Sequence, residues 1–145
     1  MRILAAVLML FSGVGSAAEW REPPRGSATR GAMMDALRPH AEWLLGAPVE
    51  FVVRELRQSG DIGFASLVAQ RPGGGRIDIA ATPGFRRGEV FDGPGDAREF
   101  HVLYRRSGAT WVAVHWSSGA TDVWFSWAPL CRQYRPVIAE VCGGQ

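Results

Sequence analysis

The three histidines, His40, His101 and His115, are the side chains of this sequence best suited to proton transfer near neutral pH. His101 and His115 lie in two consecutive predicted strands, seven positions on either side of Gly108. A hairpin that turns at Gly108 would therefore place the two rings side by side across the strand pair. The alternative is two half-exposed polar side chains on a solvated sheet face, and a one-residue change of register would separate them.

A neighbouring carboxylate would turn this histidine pair into an acid–base site or a weak metal site, and Asp122 and Asp78 are the candidates. The motifs of nucleophilic and phosphate chemistry are missing. The sequence contains no G-x-S-x-G elbow. The glycine run Gly73–Gly75 is not followed by the Lys and Ser or Thr of a phosphate-binding loop. We therefore predict no cofactor and no resident metal, and we favour a protein without catalytic activity.

Aromatic and basic side chains suggest a binding surface instead. Six tryptophans are many for 145 residues, and Trp gives a large contact area with a polar end. Trp111 and Trp116 have opposite parity in one predicted strand, so one should face the core and the other solvent. The outward ring, together with Arg105 and Arg106, is the candidate binding patch. The alternative is that the tryptophans mainly fill the core.

The charge balance argues against nucleic acid as a partner. Sixteen basic residues, all of them arginine, face 14 acidic ones, for a net charge of +2. The arginines do not form the dense basic stripe typical of nucleic-acid-binding proteins. A content of 47% hydrophobic and 21% charged residues indicates a folded globular chain.

The first 18 residues have the pattern of a secretory signal peptide. A basic start is followed by an apolar run and then by small residues up to Ala18, so we predict cleavage near Ala18–Glu19. The alternative is a membrane anchor, but a spanning helix needs about 20 apolar residues and this run is shorter. We predict a mature single domain of residues 19–145 that is periplasmic or secreted, with no transmembrane segment.

The two cysteines fit that location. Cys131 and Cys142 are 11 positions apart near the end of the chain. Export permits oxidation, and the neighbouring sequence offers no further Cys or His ligands for a metal, so we predict a disulfide.

Hydrophobic periodicity predicts the elements that would position these residues. Apolar residues at helical spacing, from Met33 to Leu45, predict a helix that starts near Ser27 or Thr29, contains Pro39 and stops at Gly46. Alternating residues then predict a meander of strands, and the candidate segments are 49–54, 62–69, 77–80, 100–105 and 110–116. The Gly- and Pro-rich segment 82–95 is predicted to be a long mobile loop, with Thr121 or Asp122 capping a last helix.

This order of elements predicts an α+β fold. The N-terminal helix should pack on a curved antiparallel sheet of four or five strands, and a short C-terminal helix should follow. That architecture is a roll of the cystatin-like or NTF2-like kind. A small SH3-like barrel is the alternative, but it gives the long first helix no place.

Several runs form a distinctive set that spans most of the mature chain: Leu37–Pro39, Gly46–Val53, Gln70–Gly74, Trp111–Val114 and Thr121–Trp124. Together they resemble a family of small secreted bacterial domains of uncharacterised activity. The resemblance implies export and a small α+β domain, and it implies no particular reaction.

The function expected from the sequence is therefore that of an exported, non-enzymatic binding or accessory protein of the cell envelope. Its partner would be a protein or another envelope component. The alternative is a small-ligand pocket or an acid–base enzyme of the NTF2-like roll type, which would use His101, His115 and Asp122. The alternative requires these three side chains to open into one concave apolar pocket.

Overall fold

The computed structural model describes residues 19–143, so the predicted signal peptide lies outside the described residues. The helices and strands follow in the order α1 (Ala28–Leu45), β1 (Glu50–Ser59), β2 (Ile62–Gln70), α2 (Pro83–Arg86), β3 (Glu99–Ser107), β4 (Thr110–Ser118) and α3 (Ala128–Ile138). Single 3-10 turns occupy Ile79–Ala81, Trp124–Ser126 and Ala139–Val141. The strands form one open antiparallel sheet in the order β1-β2-β3-β4. The predicted α+β architecture is confirmed, and the sheet does not close into the alternative barrel.

Helix α1 forms where the apolar spacing predicts it. The Ser27 side chain accepts a hydrogen bond from the Arg30 backbone N–H, and Gly46 ends the helix with a φ of 77°. Pro39 lies inside the helix on its exposed side, where its missing N–H and its ring are tolerated without ending the helix. The buried face packs on one side of the sheet, and its residues are Met33, Met34, Leu37, Ala41, Leu44 and Leu45.

The two faces of the sheet carry two separate apolar clusters. Val102 and Tyr104 of β3 belong to the face covered by α1, and both are fully buried. Leu103 faces the other way, into a second cluster formed with Phe64 and the buried side of α3. The second face is therefore partly covered by α3. The predicted architecture, in which only the N-terminal helix packs on the sheet, would have left this face exposed to solvent.

The segment between β2 and β3 differs from the prediction. Residues 77–80 do not form a strand: Ile77 is buried as a side chain, and Asp78 instead accepts a hydrogen bond from Ala80 N–H at the start of a 3-10 turn. The predicted loop 82–95 contains α2, whose Gly84 lies against the backbone of Leu44. A Cβ at Gly84 would come within 2.6 Å of the Leu44 carbonyl oxygen, so glycine is what permits this contact.

The C-terminal region also begins later than predicted. Helix α3 starts at Ala128, after a 3-10 turn, and neither Thr121 nor Asp122 caps it. The Cys131–Cys142 disulfide is confirmed, with a Cα–Cα distance of 5.6 Å. It links α3 to the 3-10 turn at Ala139–Val141. Within residues 19–143 no helix has the length and apolar character needed to cross a membrane.

Candidate functional site

The two strand histidines do not face each other. His101 lies opposite Ser117, and His115 lies opposite Leu103. The predicted pairing is wrong for two reasons: the turn contains two residues, so that Ser107 pairs with Thr110, and β4 holds Val114 as an extra residue where the register shifts between Leu103 and Tyr104. A count that is symmetric about Gly108 pairs His101 with His115. The two-residue turn shifts the partner of His101 by one position, and the bulge shifts it by one more, to Ser117.

Each histidine has its own surroundings. His101 is half-buried against Phe64 and Phe125, with ring-centroid distances of 6.4 and 5.4 Å. Burial lowers the pKa of His101, while the charges of Glu99 and Glu55 oppose that shift. Its Nδ1 atom is buried without a hydrogen-bond partner among the described residues.

The other two histidines lie elsewhere. His115 contacts the ring of Tyr134 on α3, with centroids 6.2 Å apart. His40, on the exposed side of α1, lies 5.0 Å from the ring of Trp116. The three imidazoles are thus distributed over three different packing environments.

The candidate carboxylates do not complete a site with them. Asp122 is exposed, and Asp78 is the cap of a 3-10 turn. The Tyr104 hydroxyl is fully buried, and burial raises the pKa of that phenol far above its usual range. The clefts that we find in residues 19–143 are lined by residues other than His101, His115 and Asp122. No group of three or more metal-ligating side chains occurs in the same described range.

The predicted tryptophan and arginine patch is divided between the two faces of the sheet. Trp111 is only 6% exposed, and Trp116 packs partly against the same cluster, beneath α1. The expectation that their side chains point to opposite faces is wrong. The bulge adds one residue to β4 between Trp111 and Trp116, so the two side chains point to the same face of the sheet. The guanidinium of Arg106 lies over Trp111 at 5.8 Å, whereas that of Arg105 lies over Tyr134 of α3 at 5.5 Å.

A cleft of about 540 Å³ lies between α1 and β1. We call it the α1–β1 groove. One wall is a stripe of α1 formed by Arg30, Gly31, Met34, Asp35 and Arg38. The other wall is the strand segment Phe51–Val53, and Arg25 lies at the entrance to α1. Three arginines and one aspartate give this groove a positive lining.

The groove exists because β1 is an edge strand that is covered over only part of its length. The backbone N–H and C=O of Arg21 bond to Gln58, at 2.9 and 2.8 Å, and so cover the C-terminal end of β1. The chain then turns away at Gly26 and enters α1. The outer edge of β1 from Phe51 to Val53 therefore has no neighbouring strand among residues 19–143.

The backbone of Phe51 and Val53 is directed into this uncovered edge. Ala69 lies opposite Phe51, but its N–H bonds to the Arg98 carbonyl on the other side of β2. In an antiparallel ladder such a residue does not bond to its opposite partner, so the N–H and C=O of Phe51 point outward. The same holds for Val53 two residues later, since the register is regular from Glu50 to Val53.

The arginines of the groove differ in how far they are already paired. Arg30 bonds to Glu22 at 3.1 Å and to the Pro23 carbonyl at 3.0 Å. Arg38 bonds to Asp35 and to the Val49 carbonyl.

Arg25, by contrast, is exposed and makes no hydrogen bond or ion pair that we find with another described residue. It is the groove's most available cation.

Comparison with protein-family models, with curated proteins and with solved structures finds no match to this chain. The resemblance to small secreted bacterial domains stays a prediction.

The sequence reasoning missed the groove because its two walls are distant in the chain. One signal was present: Arg30, Met34 and Arg38 are spaced four apart and so share one stripe of the predicted helix. Met34 belongs to the buried face and the two arginines lie at its margin, but only the structure places this stripe beside the edge of β1.

Proposed function

We propose that this protein is an exported binding module of the cell envelope, and that it takes its ligand in the α1–β1 groove. The observation that carries the proposal is the groove itself, a cleft of about 540 Å³ with a positive lining beside an uncovered strand edge. Concave sites with a few convergent polar groups are where proteins most often bind ligands.

Export is supported by two independent features of the chain. The first 18 residues have the three-part pattern of a signal peptide. The Cys131–Cys142 disulfide lies in the part that would remain after cleavage, and disulfides persist in oxidising compartments. We propose a periplasmic or secreted mature protein that begins near Glu19.

Binding is favoured over catalysis by the chemistry of the groove. Its polar side chains are mainly guanidinium groups, which donate hydrogen bonds but do not exchange protons near neutral pH. His101 and His115 lie outside its lining. The acid–base alternative gains no support from their separate positions.

The test is retention of an envelope component by the immobilised protein. Gly31→Leu should fill the groove without strain, because a Cβ at Gly31 meets no atom within 4 Å. Arg132→Glu is the matched control, since Arg132 is an exposed residue of α3 and the substitution changes the charge of a surface outside the groove.

The wild-type protein and Arg132→Glu should retain the same component from an envelope extract, and Gly31→Leu should retain at least tenfold less. Equal retention by all three proteins would place the binding site elsewhere and contradict the proposal. Retention of nothing by the wild type would contradict it as well.

A further inference from the structure

We infer that the occupant of the α1–β1 groove is an extended, acidic polypeptide segment that pairs with β1 as a fifth strand. This inference rests on the proposed function and specifies its ligand class. It joins two features that the groove combines, an uncovered strand edge and a row of arginines.

The strand edge selects for a polypeptide backbone. The outward N–H and C=O groups of Phe51 and Val53 repeat at a spacing of two residues. An extended peptide presents complementary donors and acceptors at the same spacing, as in other cases of strand addition. A sugar or a lipid has no such repeat.

The available edge is short. It lies between Val49, whose N–H and C=O are bonded to Glu42 and Arg38 of α1, and the bulge at Arg54. Four residues at about 3.3 Å each span about 13 Å, so we expect the groove to hold a strand of about four residues. The bulge also limits pairing with longer partners, which is a common way to protect an edge strand.

The opposite wall selects for negative charge. In an added strand every second side chain would face α1, where Arg30 and Arg38 line the groove with Arg25 at its end. Carboxylates at alternate positions of the segment would meet these guanidiniums, and such charge-assisted hydrogen bonds are stronger than neutral ones. Arg25 is the cation with the most to gain, because it has no partner among the described residues.

A second copy of the protein is a poorer occupant. A two-fold symmetric pairing of β1 with β1 would bring the same patch of both copies together. The arginines of one groove would then face those of the other, and like charges across an interface oppose association.

The experiment is a selection from a random library of eight-residue peptides on phage, with the full-length mature protein as bait. We expect enriched peptides to carry Asp or Glu at alternate positions. The strongest is then synthesised and titrated by NMR. The N–H groups of Phe51 and Val53 should exchange with solvent at least tenfold more slowly in the complex.

Three variants test the geometry of that complex. Gly31→Leu should abolish peptide binding, and Arg25→Glu should weaken it at least fivefold. Arg132→Glu should leave the affinity unchanged. Two versions of the peptide, N-methylated at the odd or at the even backbone nitrogens, should differ in affinity. Methylation of the N–H groups that face β1 should abolish binding, and methylation of those that face away should leave it intact.

Several results would overturn the inference. These are enrichment of non-acidic peptides, no enrichment at all, or an unchanged affinity in Arg25→Glu. Binding of single-stranded oligothymidylate as tight as that of the peptide would indicate a general polyanion site and would also overturn it. If Gly31→Leu still blocks retention of the envelope component in that case, the groove remains the binding site and only the ligand class is wrong.

Discussion

Replacing Gly84 with alanine tests how α2 is attached to the end of α1. The new Cβ would lie 2.6 Å from the Leu44 carbonyl oxygen and 3.1 Å from the Leu44 Cα atom. Both contacts are with backbone, which cannot rotate away as a flexible side chain could. Helix α2 must therefore move outward, and the buried positions Ile79 and Val90 on either side of it would lose packing.

The expected cost follows from overpacking at a site without room. Forcing one extra carbon into a packed region costs about 1–3 kcal/mol of unfolding free energy. For a domain of this size that corresponds to a fall of about 3–10 °C in the midpoint of thermal unfolding. Thermal and urea unfolding followed by circular dichroism would measure both quantities.

The same substitution at Gly31 is the matched control. Gly31 lies in α1, and a Cβ added to it would meet no atom within 4 Å, so alanine has room there. Alanine favours a helix over glycine by about 1 kcal/mol, and Gly31→Ala should therefore stabilise the protein slightly. An unfolding free energy of Gly84→Ala within about 0.5 kcal/mol of the wild type would refute the close contact between α2 and α1.

Three further substitutions test other parts of the structure. Burial lowers the pKa of His101 in the folded state below its unfolded-state pKa of about 6.5. The neutral ring therefore contributes its full stability above about pH 6.5, and this contribution is lost as the pH falls through the lower, folded-state pKa. His101→Gln should show a smaller fall in melting temperature than the wild type between about pH 7.5 and 5, and a pH profile identical to that of the wild type would contradict this. Replacing Cys131 and Cys142 together with alanine should lower the unfolding free energy by about 3 kcal/mol, and a reducing agent should destabilise the wild type but not the variant. Arg57 stacks between Trp20 and Phe64 and bonds to a carbonyl of α3, so Arg57→Lys should cost about 1–2 kcal/mol in urea unfolding, and a stability equal to that of the wild type would argue against the stack.

Periodicity predicts an element well where its apolar residues recur at the spacing of a helix or a strand. Helix α1 buries one stripe and has both a Ser cap and a Gly stop, so its sequence and its packing agree. The four strands lie where alternating apolar residues predict them, although β2 and β3 also bury Phe64 and Leu103 on the face that α3 covers.

Prediction fails where a residue is buried without belonging to a regular element. Ile77 and Ile79 are apolar and two apart, as in a strand, yet they fill the core from an irregular segment and a 3-10 turn. The extra residue Val114 is equally invisible in the sequence, because a bulge depends on the neighbouring strand. That one residue brings Trp111 and Trp116 to the same face, and together with the two-residue turn it makes Ser117 rather than His115 the partner of His101.

The groove could not be derived from the sequence because it depends on chain placement. The residues before Gly26 pair with β1 only at Gln58, through the backbone of Arg21. No pattern in the sequence predicts that this pairing ends there and leaves the rest of the strand edge open. The sequence does show the arginines that give the groove its positive charge. Only the structure shows that Arg30 and Arg38 are paired with acidic side chains, whereas Arg25 has no such partner among the described residues.

The most direct test of the groove as the binding site is an NMR map of the ligand-bound protein, with the retained envelope component as the ligand. We expect the largest chemical-shift changes to fall on the backbone of Phe51–Val53 and on Gly31 of α1, and to disappear in Gly31→Leu. Changes centred instead on the exposed side chains of Phe91 or Trp127, with Phe51–Val53 unaffected, would contradict a binding site in the groove.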